Sequence, residues 1–237
     1  VSDPVSPNAG NRPDGFNAGH IVWRDEFDGS GLPDTNLWNI IQWEPGAVNN
    51  EKQKYTDRVE NMHRKGGSLF IEARNDDWKG YKVTSGRIES RNRWAPPEDG
   101  SRSYRMEMRA KLAGGRGSWP AFWMLGNQKG PYGGWPSCGE IDIFEYVGNS
   151  HHFQCAVHDK SAINHTMGIG HPSDPEKEWH VYALNFYADR LEFYVDDNRF
   201  HAFKRPSDHN NRNWPYHSGE GNGFNIIMNL AVGGTMG

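Results

Sequence analysis

The sequence predicts an all-β chain, a sandwich or barrel of antiparallel strands, and three observations carry that prediction. Short stretches alternate apolar and polar residues with period two, Gly, Pro, Asn and Asp gather between them, and no long stretch sustains an apolar period of 3.6. With 28 Gly and 14 Pro among 237 residues, helix-forming composition is poor. Many short strands separated by turn signals build sandwiches or barrels.

The elements follow in order. Residues 1–19, rich in Pro, Asn, Gly and Ser and without the apolar core of a signal peptide, read as a loose N-terminal segment. Strands are expected at 21–26, 68–73 and 83–89. Over 103–112 the alternation sends Tyr104, Met106, Met108 and Ala110 to one face and Arg105, Glu107, Arg109 and Lys111 to the other. Further strands are expected at 120–125 and 153–158. Residues 179–187 and 190–195 read as a hairpin joined around Ala188-Asp189, and 224–232 as the last strand. Turn clusters lie at 28–34, 95–101, 126–135, 168–175 and 206–223. Neither an internal repeat nor a shift of composition divides residues 20–237, which read as one domain.

Bulk properties narrow the function. A net charge of −4 gives no electrostatic footprint for nucleic acid or an anionic membrane surface. No apolar run approaches the roughly 20 residues of a membrane span. Ten Trp in a chain of mean hydropathy −0.88 imply that some rings line a wet groove while others fill the core. Cys138 and Cys155 leave two readings open, a disulfide between neighbouring strands or two buried thiols. Asn164-His165-Thr166 is a glycosylation sequon.

The chemistry concentrates in Glu140-Ile141-Asp142-Ile143-Phe144-Glu145. Three carboxylates in an otherwise apolar strand are costly to desolvate, so stability does not account for them. Charged protection of an edge strand is the bland alternative, but Lys is the usual guard there and none occurs between Glu140 and Val147. In an unbroken strand Glu140 and Asp142 share a face and Glu145 points away. A common site requires an extra residue absorbed around Ile143-Phe144, which a β-bulge supplies. Two carboxyls about 5 Å apart across a glycosidic bond make a retaining glycosidase. Asp142 between them would set their proton affinities apart. Trp119, Trp123 and Trp135 would then stack on the C–H faces of sugars. Calcium loops alternate their acids with Gly and Asn, not Ile, and no zinc motif, phosphate loop or nucleophile elbow is present.

Gly139 to Gly148, preceded by Gly117-Ser118-Trp119-Pro120-Ala121-Phe122-Trp123-Met124-Leu125-Gly126, resembles glycoside hydrolase family 16, and within it the laminarinase-like endo-β-1,3-glucanases. Val22-Trp23-Arg24-Asp25-Glu26-Phe27, Asn49-Asn50-Glu51 with Gln53 and Tyr55-Thr56, Thr84-Ser85-Gly86-Arg87-Ile88 and Asn229-Leu230-Ala231-Val232-Gly233-Gly234 extend the resemblance from about residue 20 onward. It implies a jelly-roll β-sandwich of two antiparallel sheets with a concave substrate cleft. By the same resemblance Glu140 is the nucleophile, Glu145 the acid/base and Asp142 the residue that tunes them. The Glu-x-Asp-x-x-Glu spacing matches the bulged branch of the family; the lichenase and xyloglucan branch has one residue fewer. Trp119, Trp123 and Trp135 are implied as glucose subsites, and Asn49, Arg87, His158 and Asn229 as sugar contacts or supports of the catalytic strand. No cofactor is implied for catalysis, and a structural calcium is implied at Glu26 and Gly67. Relatives place a further calcium ligand on a final strand beyond Gly233-Gly234, which this sequence, reaching Gly237, is expected to lack. The segment Phe153-Gln154-Cys155-Ala156-Val157-His158-Asp159 also departs from the family's pattern beside the catalytic strand. The expected protein is a secreted monomer acting on β-1,3-glucan. The alternatives are hydrolysis of mixed-linkage glucan or a galactan, and non-catalytic β-glucan recognition.

Overall fold

The computed structural model describes residues 21–148, 150, 152–161, 166–209 and 213–237. Residues 1–19 and Asn164-His165 of the sequon lie outside them. The strands in chain order are β1 (Trp38–Ile40), β2 (Lys54–Tyr55), β3 (Met62–Arg64), β4 (Leu69–Ile71) and β5 (Thr84–Ser85). They continue with β6 (Arg87–Ser90), β7 (Tyr104–Ala110), β8 (Ser118–Gly126), β9 (Glu140–Tyr146) and β10 (Phe153–His158). The last are β11 (Thr166–Gly170), β12 (His180–Phe186), β13 (Arg190–Val195), β14 (Asn198–Lys204) and β15 (Phe224–Val232). A single 3-10 turn, Gly219–Gly221, is the helical content of the described residues, and none of their helices is long and apolar enough to cross a membrane.

Two antiparallel sheets carry the architecture. The larger has seven strands in the order β1-β6-β15-β8-β9-β10-β11, and the smaller four in the order β14-β13-β12-β7. Alternation along the strands sends Phe122, Met124, Ile141, Ile88, Phe153, Val157, Ile226 and Met228 of the larger sheet into a core shared with Met106, Tyr182, Leu184, Phe186, Leu191 and Phe193 of the smaller. Ring contacts cross the interface, Phe144 to Tyr182 at 4.5 Å and Phe224 to Phe186 at 5.5 Å between centroids.

The expected hairpin is present, with Phe186 opposite Leu191. The expected strand at 21–26 is not: those residues form no ladder. Asp25 Oδ1 accepts from the Phe27 N–H at 2.8 Å, and Phe27 takes φ +54°, so the local turn breaks the extended run. The segment is held instead by Trp38, whose indole N–H donates to Asp25 Oδ2 at 2.7 Å and whose ring meets Trp23 and Phe27. The turn cluster expected from residue 168 is also corrected, because Gly168 and Gly170 belong to β11. A Cβ on Gly168 would lie 2.5 Å from the His201 side chain, and one on Gly170 2.3 Å from the Phe153 ring. Those glycines mark close packing, not a turn. Cys138 and Cys155 are free and buried, and burial pushes their thiols up to about 11 and about 12.

Candidate active site

The strand β9 opens at a residue that only glycine satisfies. Gly139 has φ +83°, and a Cβ there would sit 2.8 Å from Pro215 and 3.0 Å from the Phe224 ring. Glu140 then faces Leu125 of β8, and Asp142 faces Trp123. Beyond that the register shifts: Phe144 faces Phe122 and Glu145 faces Ala121, so Ile143 has no partner on β8. On the other side, Asp142 faces Ala156 and Glu145 faces Gln154, again one residue short on the partner strand. The extra residue is therefore a bulge at Ile143, where parity demanded it. Ile143 and Phe144 both enter the core, at 1% exposure each, and Glu145 returns to the face of Glu140 and Asp142.

Each acid has defined partners. Glu145 accepts from the Trp119 indole N–H at 3.2 Å on Oε1, and from the Gln154 amide N–H at 3.1 Å on Oε2. Asp142 Oδ2 lies 2.9 Å from His158 Nε2, and Glu140 Oε1 lies 3.7 Å from the same nitrogen. The Trp135 ring, 47% exposed, stands 6.2 Å from the His158 ring. Tyr216 donates its hydroxyl to the His158 carbonyl at 2.8 Å and so fixes the end of β10.

Among the described residues no Lys or Arg pairs with the three acids; His158 is their one ion-pair partner. Burial, followed by the Asp142 charge, pushes the Glu140 carboxyl up to about 8 against the pull of His158 and Trp135. Burial and the Glu145 charge push Asp142 well above the usual range. Burial raises Glu145 too, opposed by Gln154, His158 and Trp119. Three like charges this close share protons as a set, so the cluster keeps both protonated and ionised carboxyls near neutral pH. That is the state an acid/base pair works from.

A second network adjoins the acids on the same face. Asn229 of β15 lies between Arg87 of β6 and Ala121 of β8, in the row that continues to Glu145 and Gln154. Its Oδ1 accepts from the Trp123 indole N–H at 2.7 Å, and its Nδ2 donates to the Tyr55 hydroxyl at 3.1 Å. Tyr55 donates in turn to Glu51 Oε2 at 3.2 Å, which also accepts from Gln53 at 2.6 Å, while Asn49 donates to Oε1 at 3.3 Å. The Arg87 guanidinium stacks between Trp43 and Trp123, at 4.2 and 4.9 Å from their rings, and pairs with Glu89 at 2.7 Å.

The structure thus brings Trp119, Trp135 and His158 onto the acids, and gathers Trp123, Asn229, Arg87 and Asn49 beside them. Glu51, Gln53 and Tyr55 carry a period-two signal, but nothing local points from it to Trp123. Gln154 shares the alternation of Ala156 and His158, but only the register of β10 against β9 places it opposite Glu145. Glu140, Asp142 and His158 are also the one group among the described residues whose donor atoms, within 4.8 Å of one another, could hold a metal ion. They are the acid site itself. At Gly67 a Cβ would stand 4.0 Å from the Asp28 carboxylate.

A family model described as glycosyl hydrolases family 16 matches residues 48–234. The chain is 39% identical over 231 residues to a β-glucanase of Rhodothermus marinus, covering 92% of this chain and 77% of that protein. It is 34% identical over 233 residues to a glucan endo-1,3-β-glucosidase of Cryptopygus antarcticus, covering 91% and 81%. The X-ray structure of the laminarinase from Rhodothermus marinus superposes with a TM-score of 0.81 at 36% identity, covering 91% of this chain and 87% of that one.

Proposed function

The chain belongs to glycosyl hydrolases family 16, and from that premise we propose that it is an endo-acting, retaining β-1,3-glucanase with Glu140 as nucleophile and Glu145 as acid/base. The bulge at Ile143 carries the reading, because it turns three acids of mixed parity onto one face with no Lys or Arg among the described residues to neutralise them.

In the first step Glu145 gives its proton to the glycosidic oxygen while the Glu140 carboxylate attacks the anomeric carbon. The C–O bond breaks, the reducing-end fragment leaves as an alcohol, and a glycosyl ester forms on Glu140. In the second step Glu145, now ionised, takes a proton from water, whose oxygen displaces Glu140 from the same carbon. The two inversions restore the original anomer. Asp142, the most deeply buried of the three and hydrogen-bonded to His158, keeps a proton within the cluster, which leaves Glu140 free to ionise beside it. Trp119 and Trp135 stand at the acids, and Trp123 extends an aromatic platform for glucose away from them. Jelly-roll connectivity, secretion and a monomeric state belong to the same proposal. A calcium ion held at Glu26 and Gly67 would supply no step of the reaction, and a chelator that lowers Tm while leaving kcat unchanged is its test.

Release of reducing ends from laminarin, lichenan, agarose and carrageenan tests the activity. The expected result is fastest release from laminarin. Laminarin binding without release from any of the four would replace the reading with glucan recognition.

A further inference from the structure

We propose that Gln154 is a positioning residue for the acid/base carboxyl, its amide N–H holding Oε2 of Glu145. The inference rests on the reading of Glu145 as acid/base.

Glu145 changes protonation once in each half of the reaction, and its two oxygens have unlike partners. Trp119, on Oε1, carries an indole N–H that can only donate. Gln154, on Oε2, carries both an N–H donor and a carbonyl acceptor at the end of one rotatable bond. The N–H donates to Oε2 of the carboxylate, and the acid proton that must reach the glycosidic oxygen is not held by the amide. The backbone fixes Gln154 in place, because β10 is paired on both sides, with Gln154 opposite Glu145 on β9 and opposite Ile169 on β11. The Met236 sulfur, a weak acceptor 3.8 Å from the amide nitrogen, borders Gln154 as well.

The titratable groups that interact with Glu145 are Asp142 and Glu140 on its own strand and His158 and Cys155 on β10, whereas β8 presents Trp119 and Ala121, which do not titrate. Against burial and the two acids, Gln154 and Trp119 donate to the ionised form and pull the Glu145 carboxyl down.

The test is the pH profile of kcat/KM on laminarin for the wild type, Gln154→Leu and the isosteric Gln154→Glu, with Tm recorded for each. Loss of the donor in Gln154→Leu moves the high-pH limb upward by about 0.5–1 pH unit and lowers kcat about tenfold. Gln154→Glu moves the limb further, because a second carboxylate then faces Glu145. Where Gln154→Leu does not fold, Gln154→Glu decides alone. Glu145→Ala, assayed in parallel on an aryl β-glucoside with a good leaving group, separates the premise from the inference. The high-pH limb disappears in that variant, and azide captures the glycosyl group. A limb that persists in Glu145→Ala overturns the acid/base reading. A limb that disappears there but stays in place in the Gln154 variants overturns the role of Gln154.

Discussion

Glu192 on β13 and Glu145 on β9 are both withdrawn from water on strands of the same sandwich, yet their neighbours drive them in opposite directions. Burial would raise Glu192, but hydrogen bonds from Arg190 at 2.9 Å and Tyr194 at 2.8 Å, with Arg199 at 3.4 Å, hold its carboxyl below the usual range. Glu145 meets two neutral N–H donors, His158 and two further acids, and stays above that range. Burial is common to both; arginine partners are not. The smaller sheet uses its buried carboxylate to hold a strand pair together, whereas the larger sheet keeps its acids short of cations so that protons can move among them. A site built this way is a standing cost to stability.

The largest test of that contrast removes a charge from each region. Glu140→Gln lowers kcat by about 10⁴-fold or more while leaving laminari-oligosaccharide binding in place. The same variant gains stability. A carboxyl of about 8 in the folded chain, against 4.5 unfolded, keeps a proton that the unfolded chain loses, so wild-type stability falls as pH rises between those values. The Tm of Glu140→Gln therefore exceeds the wild type's at pH 8, and the gain shrinks toward pH 4.5. A Tm below wild type at pH 8 would break the comparison.

Asn229→Ala probes the platform beside the acids and carries a smaller effect. It leaves the Trp123 N–H without its acceptor, at a stability cost of about 1–3 kcal/mol. KM for laminarin rises about tenfold, with kcat changed far less, because the loosened ring serves binding more than bond cleavage. A fall in kcat at constant KM would move Asn229 into the acid cluster.

The smallest effect belongs to Glu192→Gln, which leaves kcat untouched. Its folded carboxyl lies below the unfolded value, so the stability that it contributes is present above about pH 4.5 and is lost as pH falls through the folded value. Glu192→Gln lowers Tm by a few degrees at pH 7 and the difference closes in acid, the reverse of the Glu140 trend. Parallel pH trends in the two variants would show that burial, not the choice of neighbours, separates the regions.

Much of the fold and the acid site was legible because strand parity is local. Counting along Glu140, Asp142 and Glu145 was enough to demand a bulge within two named residues, and alternation found β7, β10, β15 and the β12-β13 hairpin. The misreadings have physical causes. An Asx turn overrode the extended pattern before Phe27, and glycines required by close packing in β11 carried the signature of a turn. The resemblance named Trp123, Asn229, Arg87 and Asn49 but not how they join: Asn229 and Tyr55 meet across 174 positions, and no local pattern encodes a contact of that span. Gln154 sat in a readable alternation, but its importance depends on the register of β10 against the bulge, which only the paired strands reveal.

Trapping the covalent intermediate tests the central claim most directly. A 2-deoxy-2-fluoro laminaribiosyl donor with a good leaving group slows the second step more than the first, and peptide mapping then locates the ester. The account predicts one glycosyl group per chain, on Glu140. A label on Glu145, or turnover that inverts the anomer with no label at all, would contradict it.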